Sequence, residues 1–180
     1  MEVLKKRSVA TAILVVVIIV FTVLGINLSA ARVVKAAERQ FYDGVYIKSE
    51  KYTETAIETH LEKKEEAALG LLSLDYGTKE EQAALRNARD ELLNAKTIKD
   101  KYAANQALEK AWRPVAESAS LSSVYSEAAN TYIKTLSGAE SAIEKSSYND
   151  VAQKANDSIL GGILKPLRLL NFARDAELFA

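Results

Sequence analysis

The sequence predicts an all-α protein whose N-terminal transmembrane helix continues into an antiparallel helical bundle. Three observations carry this expectation. Residues 9–26, VATAILVVVIIVFTVLGI, form an apolar run without an ionisable side chain. Glycine and proline number only 7 and 2, while alanine, glutamate, lysine and leucine abound, which is the composition of helices rather than sheets. Beyond the run, apolar residues recur at three- and four-residue spacings between capping signals.

The apolar run of about 18 residues, at about 1.5 Å each, gives roughly 27 Å of helix, close to the hydrocarbon thickness of a bilayer. Its Val, Ile, Leu and Phe side chains together favour insertion by about 5 kcal/mol. In lipid every backbone group must be bonded internally, so a single span is a helix despite its β-branched richness. Val9, Ile13, Val16, Val20 and Leu24 are the anchor positions. The competing reading is a cleaved signal peptide, with Lys5, Lys6 and Arg7 as the basic region and Ser29, Ala30 and Ala31 as the cleavage site. The length of the run favours a retained anchor. Arg32, Lys35 and Arg39 oppose Lys5, Lys6 and Arg7 across the span, but the N-side charges abut it directly. The N-terminus is therefore expected inside and the bulk of the chain outside the cytoplasm. The expected organisation is a basic N-terminus over residues 1–8, an anchor over 9–30 and a bundle over 31–180.

Composition narrows the functional classes. Lys plus Arg and Asp plus Glu each total 24, so the formal net charge is zero and no electrostatic footprint for nucleic acid exists. With no Cys and 1 His, thiolate and imidazole-rich metal sites are excluded. No cofactor is expected, and the expected partners are the lipid bilayer and a protein whose identity the sequence does not give.

From the span, NLSAARVVKAAERQFYD continues the helix without a breaker, with Val33, Ala37 and Phe41 four apart, and Gly44 supplies a stop. Residues 45–52 lack helical periodicity and read as a connection. Thr53 is the expected N-cap of a second helix that buries Ile57, Leu61, Ala68 and Leu72 and turns Glu62, Lys63, Glu65 and Glu66 to water, ending at Tyr76 and Gly77. Thr78-Lys-Glu-Glu81 has the form of a capping box and opens a third helix with a Leu85, Ala88, Leu92 and Ala95 stripe, ending near Lys96. Thr97 and Asp100 start a fourth, with Ile98, Tyr102, Leu108, Ala111 and Val115 buried. Pro114 predicts a kink or break near Trp112 and Arg113. Residues 118–123 read as a turn before a helix whose face runs Leu121, Val124, Ala128, Tyr132, Leu136, Ala139 and Ile143. Ser147-Tyr-Asn-Asp150 announces a last helix through Ala152, Ala155 and Ile159, stopped by Gly161 and Gly162. The Leu- and Phe-rich tail should dock on the bundle or the bilayer.

Several of these residues resemble the LemA family of bacterial membrane-anchored helical proteins. Gly138-Ala-Glu140-Ser-Ala-Ile143 is similar to that family's Gly-x-Glu-x-x-Ile, and is followed by Tyr148-Asn149, Asn156, Ile159 and Phe179. Ala88-Arg89 looks like the Ala-Arg pair of the second family helix, and Phe41-Tyr-Asp-Gly44-Val45 looks like the signature of a divergent branch. The resemblance implies a bacterial origin, an N-terminal anchor and an antiparallel bundle of unassigned biochemical activity, and it supplies no catalytic residues to carry over.

For chemistry, His60 is the one side chain suited to proton transfer at neutral pH, but it stands at the edge of an apolar stripe without evident partners. A di-iron bundle site needs Glu-x-x-His on two helices, which one His cannot provide. The run from Glu62 to Glu66 reads as a solvated, ion-paired face. Tyr148 and Asn149 are candidate interaction residues, although their position just after a Ser cap favours Tyr148 packing across the helix start and Asn149 supporting the turn. Trp112 and Arg113 are candidates for a partner surface, with a kink stapled by a half-buried Trp as the plainer account. The leading expectation is a non-enzymatic interaction or scaffold module beside the bilayer. The alternative is a sensor or small-ligand-binding bundle, with a pocket drawn from Tyr132, Tyr102 and His60. An enzyme would need His60 to meet two carboxylates.

Overall fold

The computed structural model describes residues 2–122, 127–161, 172 and 174–180. Its elements are α1 (Glu2–Asp43), β1 (Val45–Ile47), β2 (Tyr52–Glu54), α2 (Ile57–Leu72), α3 (Lys79–Asn94), α4 (Ile98–Leu121), α5 (Glu127–Glu144) and α6 (Tyr148–Gly161). Val124 of the expected fifth stripe, Gly162, and 163–171 and 173 of the tail lie outside the described residues.

Helix α1 is one uninterrupted rod of 42 residues, long and apolar enough to cross a membrane. Its character changes along its length. Between Lys6 and Gly25 no side chain is buried, and the anchor positions Val9, Ile13, Val16, Val20 and Leu24 are all exposed. Burial begins at Ile26 and continues through Ala30, Val34, Ala37 and Phe41. The expected Val33 is exposed and Val34 takes its place, because two adjacent valines both fit a three-or-four spacing and only packing against α6 chooses between them. The polar side chains of the apolar stretch turn back on their own helix. Thr11 donates to the Arg7 carbonyl at 2.9 Å, Thr22 to Ile18 at 2.8 Å and Asn27 to Val23 at 2.8 Å, so each hydroxyl or amide has a partner that needs no water.

Gly44 ends the rod with φ +89°. A Cβ there would lie 2.1 Å from the Glu54 carbonyl oxygen, so only glycine allows the chain to turn straight into a hairpin. β1 and β2 pair antiparallel with Tyr46 opposite Thr53. The expected connection over 45–52 is thus a small hairpin, and Thr53 sits in its second strand rather than capping α2. Helix α2 begins after Ala56 without a side-chain cap. It ends at Leu72, short of the expected Tyr76, and Leu71 is its buried terminal leucine, with Leu72 half-buried.

The local signals at the next two helices form as expected. Thr78 Oγ1 accepts from the Glu81 N–H at 3.2 Å while Glu81 Oε2 accepts from the Thr78 N–H at 2.8 Å, and Thr97 Oγ1 accepts from the Asp100 N–H at 3.0 Å. Leu85, Ala88 and Leu92 are buried on α3, and Ile98, Leu108 and Val115 on α4. Pro114 does not break α4, which runs through it to Leu121. Residues 118–121 therefore belong to α4 rather than to a turn, and Leu121 is 87% exposed instead of lining α5. On α5, Ala129 is buried in place of Ala128, followed by Leu136, Ala139 and Ile143.

Pairing follows these stripes. α2 packs on α5 and α3, α3 on α4, and α1 on α6. Small residues allow close approach: a Cβ on Gly70 of α2 would meet the Tyr132 ring of α5 at 2.4 Å. α6 buries Tyr148, Ala152, Ala155 and Ile159, a four-three-four spacing complementary to that of α1. Its start is held by two side chains. Ser146 Oγ accepts from the Tyr148 N–H at 3.3 Å, and the Glu54 carboxylate accepts from the Ser147 N–H at 3.1 and 3.2 Å. The cap expected from Ser147 is thus supplied by its neighbour and by the hairpin.

Candidate functional site: the junction of stem and bundle

Two polar constructions meet where α6 begins. The first grips the C-terminal segment. Asn149 Nδ2 donates to the Phe179 carbonyl at 2.9 Å and its Oδ1 accepts from the Phe179 N–H at 2.8 Å. Asn156 makes the same pair of bonds with Ala176, at 3.1 and 2.7 Å. The spacing is geometrically required: seven helical residues rise about 10.5 Å, and three extended residues cover about 10 Å. Between them the Tyr148 hydroxyl donates to the Glu177 carbonyl at 2.6 Å. Phe179 is buried, with its ring centroid 5.6 Å from Phe41 and 5.3 Å from Tyr102. The part of the tail that is described docks on the bundle, along α6 and against Phe41 of α1 and Tyr102 of α4, the first of the two sequence expectations. Burial pushes the Tyr148 hydroxyl far above its usual range, so it remains a donor at any physiological pH.

The second construction lies inside the bundle. Lys64 of α2 is fully buried and donates to Asn105 of α4 and Glu140 of α5. Glu140 also faces the negative charge of Glu109, which is ion-paired with Arg113 one turn along α4. Burial raises the Glu140 carboxyl above its ordinary value, and the Lys64 ammonium offsets this only in part. Burial also pushes Glu109 upward, but the Arg113 guanidinium beside it outweighs that and holds it low. The sequence reading placed the whole run from Glu62 to Glu66 on a solvated face, and Lys64 departs from it by being fully buried. The signal was nevertheless present, because Lys64 stands three residues after Leu61 and four before Ala68, on the buried stripe.

Between these constructions opens a pocket of about 430 Å³ lined by Tyr102, Asn105, Glu109, Glu140, Glu144, Asn149 and Phe179 among others. Of the three residues expected to form a ligand pocket, Tyr102 lines it, while Tyr132 and His60 do not. Burial, followed by the nearby Lys63, lowers the His60 pKa, so at neutral pH the ring is uncharged. Trp112 is buried, and Arg113 lies over its ring at 5.5 Å while pairing with Glu109. They border a shallow depression of about 320 Å³ rather than the pocket. Tyr148 and Asn149 are thus brought together at the junction, and Trp112 and Arg113 stand apart. Among the described residues no group of three or more His, Cys, Asp or Glu side chains could hold a metal ion.

No family model, curated protein or solved structure significantly matches this chain.

Proposed function

We propose that this is a single-pass bacterial membrane protein of LemA-like type whose helical bundle serves as a non-catalytic interaction or scaffold module held beside the bilayer, outside the cytoplasm. The observation that carries this reading is the change of character along α1, from a stretch with no buried side chain over residues 6–25 to a stem with a buried stripe from Ile26. An apolar surface of that size is expensive in water and suits lipid. The sequence resemblance supports the same assignment. The carboxylates at the junction argue against acid–base chemistry, because Glu140 is committed to Lys64 and Glu109 to Arg113. The test is alkaline extraction of membranes, protease accessibility on intact and opened cells, and crosslinking of the native protein. Retention in the alkali-washed membrane, digestion on intact cells and a specific crosslinked partner are expected. A dissolved product trimmed of its first thirty or so residues overturns the anchor, and a crosslinked product without a partner overturns the scaffold role.

A second reading, a bundle that binds a small polar ligand, is favoured by the pocket of about 430 Å³ with its convergent amide, hydroxyl and carboxyl groups. Ligand screening by thermal shift tests it, and a Glu144→Ala or Tyr102→Phe variant should lose any shift observed.

A further inference from the structure

We infer that the stem carries a headgroup site for anionic phospholipids, formed by Arg32, Lys35 and Arg39; this rests on the membrane reading above. At about 100° per helical residue these three positions lie on the side of α1 opposite the stripe that meets α6. All three are exposed, and among the described residues none of them forms an ion pair. The carboxylates of this part of α1 do not neutralise them. Glu38 is engaged by Arg174 at 2.7 and 2.8 Å and by the Glu177 N–H at 3.1 Å, and Asp43, one turn beyond Arg39 in the same groove, sets one carboxylate against three cations and leaves the groove positive.

Their height above the bilayer is set by the rod. Counted from Ile26, where the apolar run ends and burial begins, Arg32 lies about 9 Å, Lys35 about 14 Å and Arg39 about 20 Å along the axis. The headgroup layer extends roughly 5–8 Å beyond the hydrocarbon on each side. Helical side chains lean toward the N-terminus, here toward the bilayer, and long cationic side chains extend their heads to the interface. Arg32 and Lys35 thereby reach the phosphate layer, and Arg39, about 12–15 Å above it along the axis, stands beyond a Debye length of about 8 Å and adds less. Between them a shallow groove of about 490 Å³ is lined by the three cations, Ala36, Gln40 and Asp43. The small Ala36 leaves room for a phosphate to accept from more than one cation. The ligand is a phosphodiester lipid bearing net negative charge, such as phosphatidylglycerol.

The test uses the full chain in neutral detergent micelles, titrated with short-chain phosphatidylglycerol or phosphatidylcholine of equal acyl length, with inorganic phosphate as competitor. Each cation near an anionic surface contributes about a fivefold gain in affinity. Phosphatidylglycerol should therefore bind at least about tenfold more tightly than phosphatidylcholine. Arg32→Gln with Lys35→Gln and Arg39→Gln should weaken it by about 25- to 100-fold. Lys79→Gln with Lys110→Gln and Lys134→Gln, which makes the same change of net charge on exposed faces of α3, α4 and α5, should leave it unchanged. Equal binding of the two lipids, or equal loss in the two triple variants, overturns the site. Displacement by inorganic phosphate at lipid-like concentrations assigns it to a free anion and overturns the lipid. Should the first triple variant fail to fold, the single Arg32→Gln and Lys35→Gln variants decide through their fivefold steps, and flat responses overturn the site. Reconstitution into vesicles separates the two proposals: a chain that stays out of the bilayer overturns the membrane reading, whereas one that inserts without preferring phosphatidylglycerol overturns only the headgroup site.

Discussion

Replacing Lys64 by methionine tests the buried cluster most directly. The substitution keeps the stem that fills the space between α2, α4 and α5 but removes the donor shared by Asn105 and Glu140. A carboxylate whose side chain is 11% exposed then lacks its counter-charge. Breaking a buried pair from one side costs about 3–5 kcal/mol, which for a domain of this size corresponds to a fall in Tm of roughly 6–20 °C. Replacing both partners, Lys64→Met with Glu140→Leu, removes the uncompensated charge and should recover all but about 1–2 kcal/mol, the remainder being the unpaired Asn105 amide. Because the Glu140 carboxyl is already raised by burial, it can escape by taking up a proton. The cost of Lys64→Met should therefore shrink as pH falls from neutral toward 4.5. Urea unfolding of the full chain in detergent, followed by circular dichroism at both pH values, reads all three quantities. A single-variant cost under about 1 kcal/mol, or a double variant no better than the single, refutes a buried and mutually dependent pair.

The remaining predictions concern the clasp, a cap and a histidine. Asn149→Ala and Asn156→Ala each remove two bonds to the main chain and should each cost about 2–3 kcal/mol in the same unfolding assay. Their double variant should cost less than the sum, because the first loss already loosens the segment that the second would hold. Thr78→Ala removes half of the capping box and should lower stability by about 1 kcal/mol, or about 2–4 °C in Tm. His60 has a lowered pKa in the folded chain, so the unfolded state binds more protons and stability falls as pH drops through 6.5. Comparing wild type with His60→Gln over that range isolates the effect, and identical pH profiles would contradict it.

What the sequence reveals here follows the range of the interactions involved. The capping box at Thr78 and Glu81 and the cap at Thr97 are readable because both partners lie within one turn. Ala152, Ala155 and Ile159 are readable because they recur at three- and four-residue spacings directly after the helix-start signal, although Val151 and Leu160 adjoin two of them. Register becomes ambiguous where apolar residues are adjacent, as with Val33 and Val34 or Ala128 and Ala129, since either satisfies the period and the facing helix decides. The hairpin escapes detection because its strands have only 3 residues each, and its formation takes Thr53 from the role that its local context suggests. Pro114 suggests a break, yet the buried Trp112, Val115 and Ala116 on either side keep α4 continuous. The candidate site is the least legible part. Lys64, Asn105 and Glu140 come from three helices, and the clasp joins residues 20 and 30 positions apart. Tyr148 and Asn149 are visible as notable residues, but their partners become evident only once the chain has folded back.

The unbroken α1 has a mechanical consequence. With no swivel between its membrane-length part and the stem, the membrane reading proposed above makes the bundle ride on a lever arm whose pivot lies at the bilayer surface. A tilt of about 20°, ordinary for a single span, would carry the far end of a stem of roughly 27 Å sideways by about 9 Å. Bilayer thickness, to which such a tilt adapts, would then steer where the bundle points without any change in its internal packing.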